Sequence, residues 1–186
     1  AAAPAVSTLP SGLKVVSTTA GGPVATVGVH VAVGSREETA GLRGAAFLLK
    51  HLAFKHTRAR SDLRMQRALD DLGASTHVAL GRESLTYSVS CLPACADEAL
   101  AAVAETVSSP RFVPWIVKEA SGSKLVKAEL DAFAKDAEAQ ALQALHEAAF
   151  GAESPLGASP VSSPGALSAA QLEGFAGGLF AHASRV

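Results

Sequence analysis

The chain has 186 residues, of which 48% are hydrophobic, and its formal net charge is −1 at pH 7. This length predicts one globular domain over residues 1–186, and the near-neutral charge argues against a nucleic-acid partner. The apolar runs are shorter than the roughly 20 residues of a membrane span, so we expect membrane association only through partners. The chain begins with Ala1 and shows no targeting-peptide pattern, which indicates that such a peptide is absent or has been removed.

Two strands are predicted first along the chain. One covers residues 13–18 and follows a Pro-Ser-Gly turn. The other has valines at alternate positions, namely Val27, Val29, Val31 and Val33. Because residues 20–23 between the two strands are rich in glycine, we expect the strands to pair as a hairpin.

Two helices and a second hairpin follow. Residues 42–54 are almost all apolar, which predicts a helix buried on most of its faces. Residues 61–73 form an amphipathic pattern that ends at a glycine, as helices commonly do. Residues 74–80 and 85–91 flank a Gly-Arg-Glu turn, and apolar residues alternate with Ser and Thr in the second of these segments. This alternation predicts an antiparallel hairpin.

The remaining chain is predominantly helical. An apolar stripe over residues 100–107 predicts a helix, and two prolines interrupt the pattern at residues 109–114. Helical patterns then extend over residues 116–150. The stretch 151–165, rich in Gly, Ser and Pro, predicts an ordered surface loop, and a last helix is expected from Ser168 onward.

This order of elements predicts an α+β fold. Paired strands separated by paired helices indicate an antiparallel sheet that is built from hairpins and has helices packed on one face. A sheet of this kind often needs further edge coverage. We therefore expect a last strand beyond Val186, where the chain stops, and predict that the chain is the first half of a longer two-domain subunit.

One helical segment carries part of a metal-binding pattern. Inverted zinc-peptidase motifs read His-x-x-Glu-His, with two ligands on one helix face and a general base beside them. The corresponding positions are Phe47, Lys50 and His51. A phenyl ring supplies no lone pair to zinc, and a lysine ammonium would repel the dication. The segment therefore predicts no catalytic zinc, no catalytic residue and no cofactor.

Six segments in this order resemble the N-terminal domain of the pitrilysin-like M16 metallopeptidase family. They are residues 9–15, 34–38, 44–57, 72–74, 82–87 and 112–117. The resemblance implies the metallohydrolase-type α+β fold that this family shares with LuxS-like proteins. It also implies a third metal-ligand position at Glu129 and a supporting position at Gly122, where this chain has no carboxylate. Without a metal, Glu129 is expected to be a solvated helix residue.

The resemblance implies a subunit that is not an enzyme. The vestigial positions Phe47, Lys50, His51 and Glu129 match the non-catalytic branch of the family. The expected role is that of a structural core subunit, of the core protein 2 type, in the mitochondrial respiratory cytochrome bc1 complex. Two alternatives are a substrate-binding α subunit of the mitochondrial processing peptidase and an inactive scaffold in another mitochondrial assembly. The expected partners are a homologous M16-type subunit and other complex III subunits, on the matrix side of the inner membrane.

The other candidate groups have simpler interpretations. Cys91 and Cys95 have the spacing C-x3-C, which matches no redox or zinc pattern, so both are predicted to be small buried apolar residues. His30 and His77 are expected on the less apolar face of the sheet. The basic residues are expected at a solvated helix end, and they are Lys50, Lys55, His56, Arg58 and Arg60.

Overall fold

The structure is a computed structural model, and it describes residues 3–19 and 21–180. Within those residues the strands are β1 (Ala5–Thr8), β2 (Lys14–Ser17), β3 (Ala25–Val31), β4 (Ser75–Leu80) and β5 (Leu85–Cys91). The helices are α1 (Ala45–Leu52), α2 (Asp62–Asp71), α3 (Ala96–Ser108), α4 (Pro114–Ser121), α5 (Lys124–Lys135), α6 (Ala137–Phe150) and α7 (Ala169–Phe180). The strand expected beyond Val186 lies outside the described residues.

The main sheet has three antiparallel strands in the order β3-β5-β4. The central strand β5 buries every second side chain, namely Leu85, Tyr87, Val89 and Cys91. Helix α3 packs against β3 and β5 on this side. His30 and His77 lie on the opposite face, where they are exposed as predicted. The α+β class, with helices on one face of an antiparallel sheet, is confirmed.

The predicted pairing of the first two long strands is wrong. Strand β2 pairs with β1, with Val6 opposite Val16, whereas β3 pairs with β5. The Pro-Ser-Gly segment is the turn of the β1–β2 hairpin, because Gly12 has φ +89° and donates its N–H to the Leu9 carbonyl at 2.9 Å. Strand β1 has only four residues and no clear alternation, so the sequence did not reveal it. Of the residues 20–23 assigned to the other hairpin, Ala20 lies outside the described residues.

The core has two apolar clusters. One joins α1 to α4 and α7 through buried side chains such as Leu48, Val117 and Leu172. The other joins β5 to α2 and α3 through Met65, Val89 and Val103 among others. Burial of a large apolar side chain contributes about 1.5–3 kcal/mol relative to exposure, so these two clusters hold the helices on the sheet.

Helix α1 is shorter than the apolar run that predicts it. It begins after Gly44, which has φ +81° and is the N-cap, and its first five residues are all buried. Residues 40–42 form a separate 3-10 turn before it. After Leu52 the chain leaves the helix, and Phe54 takes the left-handed conformation at φ +55° while its ring packs edge-on against Tyr87. Apolar composition alone therefore overestimates the helix, because buried turns are apolar as well.

The helices of the second half begin at predictable caps. The Ser123 hydroxyl accepts the Val126 N–H at 3.2 Å, and the Asp136 carboxylate accepts the Glu138 N–H at 3.0 Å. The predicted break at the two prolines separates α3 from α4, and residues 151–168 form the loop before α7. Within residues 3–19 and 21–180, no helix combines the length and the apolar character needed to cross a membrane.

Candidate functional site

Phe47, Lys50, His51 and Glu129, the four positions that the motif comparison singles out, form one cluster between α1 and α5. Lys50 Nζ donates to Glu129 Oε1, and His51 Nε2 lies 3.1 Å from Glu129 Oε2. The two atoms face each other, but the contact lacks the alignment of a regular hydrogen bond. Helix geometry explains the arrangement, because residues 47, 50 and 51 share one face of α1. The glutamate reaches that face from the middle of α5.

Phe47 lies under this charged group. Its ring is fully buried and meets the His51 ring edge-on, with 4.8 Å between the centroids. Lys50 Nζ lies 5.9 Å from the centroid of the same ring, within range of a cation–π interaction. The phenyl group therefore packs against both polar side chains of α1 and contributes an apolar floor.

The expectation that Glu129 is a solvated helix residue is wrong. Its side chain is 32% exposed, and those of Lys50 and His51 are 25% and 14% exposed. The carboxylate is drawn between α1 and α5 because a half-buried cation lies opposite it, and leaving either charge unpaired there would be costly. The residue pattern of α5 alone gives no sign that Glu129 pairs with Lys50 on another helix.

Burial lowers the pKa of His51 below its ordinary value of 6.5. The Glu129 carboxylate opposes this effect, while the positive charges of Lys50 and Lys55 add to it. The net direction favours the neutral imidazole near neutral pH. The cluster at that pH is therefore one ion pair, Lys50 with Glu129, beside a neutral histidine.

Gly122 lies outside this cluster's helix. It is the C-cap of α4, whereas Glu129 belongs to α5, which begins at Lys124. A Cβ added at Gly122 would meet only the Lys118 carbonyl oxygen, at 3.7 Å. The position has room for a side chain, and no carboxylate is present there.

A second ionic cluster lies at the end of the α1 segment. Arg60 Nε is 3.0 Å from Glu105 Oε2, and the Thr57 hydroxyl donates to the other oxygen of the same carboxylate. Thr57 is buried. The predicted solvated helix end is thus correct for Arg58, which is 75% exposed and lies 4.0 Å from Glu173. It is wrong for Lys50 and Arg60, whose partly buried side chains are paired with carboxylates from other helices.

Two structural polar groups were missed from the sequence. The Glu38 carboxylate accepts the N–H groups of Gly44 and Ala46 at 2.9 and 2.7 Å, so it caps α1 from the preceding turn. The Arg82 guanidinium donates to the amide oxygen of the buried Gln143 at 2.6 Å, which ties the β4–β5 turn to α6. A carboxylate six residues before a glycine N-cap is the only sequence signal for the first. We find none for the second.

The described residues contain no group of three or more His, Cys, Asp or Glu side chains placed to hold a metal ion. The residues at the cluster that could donate to a metal are His51 and Glu129, and Lys50 already occupies the carboxylate. As arranged, the cluster can hold α1 and α5 together by an ion pair.

Comparison with known proteins identifies the family. The model of the insulinase family, peptidase family M16, matches residues 14–160. "Probable mitochondrial-processing peptidase subunit alpha-1, mitochondrial" of Arabidopsis thaliana is 33% identical over 159 residues, which are 86% of this chain and 31% of that protein. "Mitochondrial-processing peptidase subunit alpha" of Solanum tuberosum is 34% identical over 145 residues, 78% of this chain and 28% of that protein.

A third relative carries a different name. "Cytochrome b-c1 complex subunit 1, mitochondrial" of Rattus norvegicus is 39% identical over 87 residues, which are 47% of this chain and 18% of that protein. The chain thus spans less than a third of the length of these relatives. Since the family model covers most of the residues and the fold agrees, the chain belongs to the insulinase family, peptidase family M16.

Proposed function

We propose that this chain is a non-catalytic M16 subunit that works in a mitochondrial assembly with a homologous partner. The observation that carries the proposal is the ion pair between Lys50 and Glu129. It joins the position of the family's general base to the position of the third ligand, and a cation there takes the place of the metal.

The donor chemistry supports the absence of a catalytic zinc. A catalytic zinc ion needs three protein ligands and an open position for water. Phe47 has no donor atom, and Glu129 is engaged by an ammonium group. Displacing Lys50 from Glu129 would leave a half-buried cation beside the dication, with a repulsion of several kcal/mol. His51 alone does not offset this cost.

The named relatives support the mitochondrial part of the proposal. The Arabidopsis thaliana and Solanum tuberosum proteins are called processing-peptidase α subunits, and their similarity extends over most of this chain. We therefore favour the α-type subunit of a processing-peptidase pair, on the matrix side of the inner membrane. In this role the chain contributes substrate-binding surface while the partner subunit supplies the chemistry. The short share of each relative's length supports a longer subunit of which this chain is the N-terminal M16 domain.

A core subunit of the cytochrome bc1 complex is the second candidate. It is favoured by the 39% identity to subunit 1 of that complex in Rattus norvegicus, although this match covers 47% of the chain. The more specific core protein 2 role, expected from the sequence, stays a prediction. An inactive scaffold in another mitochondrial assembly also stays open to the experiments below.

Zinc titration tests the inactive site directly. We expect no rise in melting temperature when zinc is added to the wild-type chain, and far less than one zinc per chain after dialysis. The double variant F47H/K50E should bind zinc through the restored positions with His51 and Glu129. At a hundredfold excess of zinc over Kd, binding would stabilise the folded state by about 2.7 kcal/mol.

The single variant K50E is the matched control. It places a carboxylate opposite Glu129 without restoring the ligand at position 47, so it should be less stable than wild type and gain less from zinc than the double variant. Near-stoichiometric zinc in the wild-type chain would overturn the proposal. An unresponsive double variant would contradict the positions assigned to α1 and α5.

Native purification separates the candidate assemblies. The intact assembly from mitochondria would be resolved on a non-denaturing gel, and its subunits would be identified by mass spectrometry. A pair with a zinc-bearing M16 subunit would support the α-type role. Co-migration with cytochrome b and cytochrome c1 would support the core subunit. If neither set of partners co-migrates with the chain, the scaffold role is supported.

A further inference from the structure

Two cysteine thiols flank the connection from β5 to α3. Cys91 is the last residue of β5 and is 4% exposed, and Cys95 is half-buried at the N-cap of α3. The prediction that both are buried is therefore confirmed for Cys91 and wrong for Cys95, whose sulfur lies where the chain leaves the core. Both thiols are free. The proposed function uses neither of them.

The connection between the thiols is a tight turn. The Cys95 N–H donates to the Leu92 carbonyl at 2.9 Å, which closes a 3-10 turn over Pro93 and Ala94. A closed four-residue turn brings the Cα atoms of its first and last residues within about 7 Å. Since Cys91 directly precedes this turn, the chain returns toward it. Both side chains then pack on the same apolar cluster between the sheet and α3.

The two thiols differ in accessibility. Burial raises the pKa of the Cys91 thiol above its ordinary value, and the neighbouring Cys95 raises it further. Cys91 is therefore protonated and shielded in the folded chain. Cys95 is half-buried at the start of the 13-residue helix α3, so its thiol is the more accessible of the two.

We propose that Cys91 and Cys95 are a dithiol site that a low-molecular-weight disulfide, such as glutathione disulfide, oxidises to an intramolecular disulfide. The Cys95 thiolate attacks one sulfur of glutathione disulfide, whose S–S bond breaks and releases one glutathione thiolate. Cys91 then gives its proton to solvent and attacks the Cys95 sulfur, which releases the second glutathione. Both protein thiols are oxidised, and one glutathione disulfide is reduced to two glutathione molecules. The new bond links the end of β5 to the start of α3.

The test uses the folded full chain and glutathione disulfide. After incubation, free thiols would be blocked with an alkylating reagent under denaturing conditions, and the products would be identified by intact mass and peptide mapping. We expect a product that has lost two hydrogen atoms, carries no glutathione and has neither cysteine alkylated. A stable glutathione adduct on Cys95 with Cys91 still alkylated would overturn the proposal, as would the absence of any reaction.

Two variants separate the roles of the thiols. Cys91→Ala removes the resolving thiol, so the mixed disulfide on Cys95 should accumulate. Cys95→Ser removes the accessible thiol, so glutathione uptake should fall by at least tenfold. Cys91→Val serves as a second core variant if the alanine variant fails to show the wild-type circular dichroism spectrum. Rapid glutathione uptake by Cys95→Ser would contradict the assigned order of attack.

Discussion

At the residue scale, the identity of residue 50 decides the environment of Glu129. A carboxylate at position 50 would repel Glu129, whereas the lysine present here pairs with it. Both groups are only partly exposed, so each depends on the other for charge compensation. His51 adds no positive charge beside the glutamate near neutral pH, because burial favours its neutral form.

Removing one member of this pair should destabilise the fold. We expect Lys50→Met and Glu129→Gln each to lower the free energy of unfolding by about 1 kcal/mol, since each leaves a half-buried charge unpaired. The double variant should lose less than the sum of the two. Urea denaturation of all four proteins measures the coupling.

Arg36→Met is the matched control, because the Arg36–Glu83 pair is 51% and 62% exposed and should contribute a few tenths of a kcal/mol. Strict additivity at Lys50 and Glu129 would contradict the pairing.

Acidification should weaken the fold through His51. Its folded-state pKa lies below the ordinary 6.5, so the unfolded chain takes up a proton at a higher pH than the folded chain does. The stability linked to His51 is therefore fully present above 6.5 and is lost as the pH falls toward the folded-state value. Unfolding free energies measured from about pH 8 to about pH 6 should decrease, and His51→Gln should flatten that slope.

Glu38 acts in the opposite sense at lower pH. Burial raises its pKa above 4.5, more than the Ala46 and Gly44 N–H groups lower it. Its contribution to the free energy of unfolding is therefore largest below pH 4.5. That contribution decreases as the pH rises through the pKa of Glu38 in the folded state. The His51 prediction has its own contradicting outcome. If His51→Gln and wild type show the same slope of unfolding free energy between about pH 8 and about pH 6, His51 is not the titrating group.

At the element scale, the start of α1 depends on a carboxylate from the preceding turn and on a loop that is distant in sequence. Gly44 has a left-handed backbone and lies against Pro164, while Glu38 accepts two N–H groups of the first turn. The loop before α7 therefore packs on the N-terminus of the helix that carries residues 47, 50 and 51. Arg43 adds a further link to this loop, with a 2.8 Å contact to Glu153.

Gly44→Ala should be strongly destabilising. An added Cβ would lie 2.6 Å from the Pro164 Cα, and the positive φ adds its own strain. We expect a loss of at least about 2 kcal/mol in the free energy of unfolding. Gly73→Ala is the matched control, because Gly73 also has a positive φ but has open space around it, and about 1 kcal/mol is expected there. Thermal unfolding would compare the two, and equal losses would contradict the packing against Pro164.

At the scale of the whole molecule, the β1–β2 hairpin differs from the rest. Every residue of both strands is exposed, including the opposed pair Val6 and Val16. The three-stranded sheet, by contrast, is anchored by α3 and by the buried side of β5. An isolated two-stranded hairpin is marginally stable in water. The stability of the chain therefore resides in the three-stranded sheet and its helices.

Hydrogen exchange should reveal this difference. We expect amides of β1 and β2 to exchange close to the rate of an unfolded peptide, whereas amides of β5 exchange only through global unfolding. Exchange followed by mass spectrometry on the isolated chain measures both. Equal protection of β2 and β5 would mean that the hairpin is packed against the body of the chain.

Prediction from the sequence succeeded where the signal is local. Alternation in β5, the amphipathic stripe of α2 and the proline break before α4 all reflect neighbours within one element. It failed for the partner of β2, because β1 has only four residues and no clear alternation. It failed for the partner of β3, because β5 lies far along the chain. It also failed for Glu129, since the group that removes this side chain from solvent lies on another helix, 79 residues earlier.

The sequence by itself determined the fold class, most helix positions and the side-chain chemistry at positions 47, 50, 51 and 129. Hydrophobic periodicity and residue type are properties of the chain, so they can be read without coordinates. Only the tertiary structure decided that Lys50 meets Glu129, that Glu38 caps α1 and that Cys95 lies partly outside the core. These contacts join residues on different elements, and their formation depends on how the elements pack, because burial determines which charges and thiols remain accessible to water.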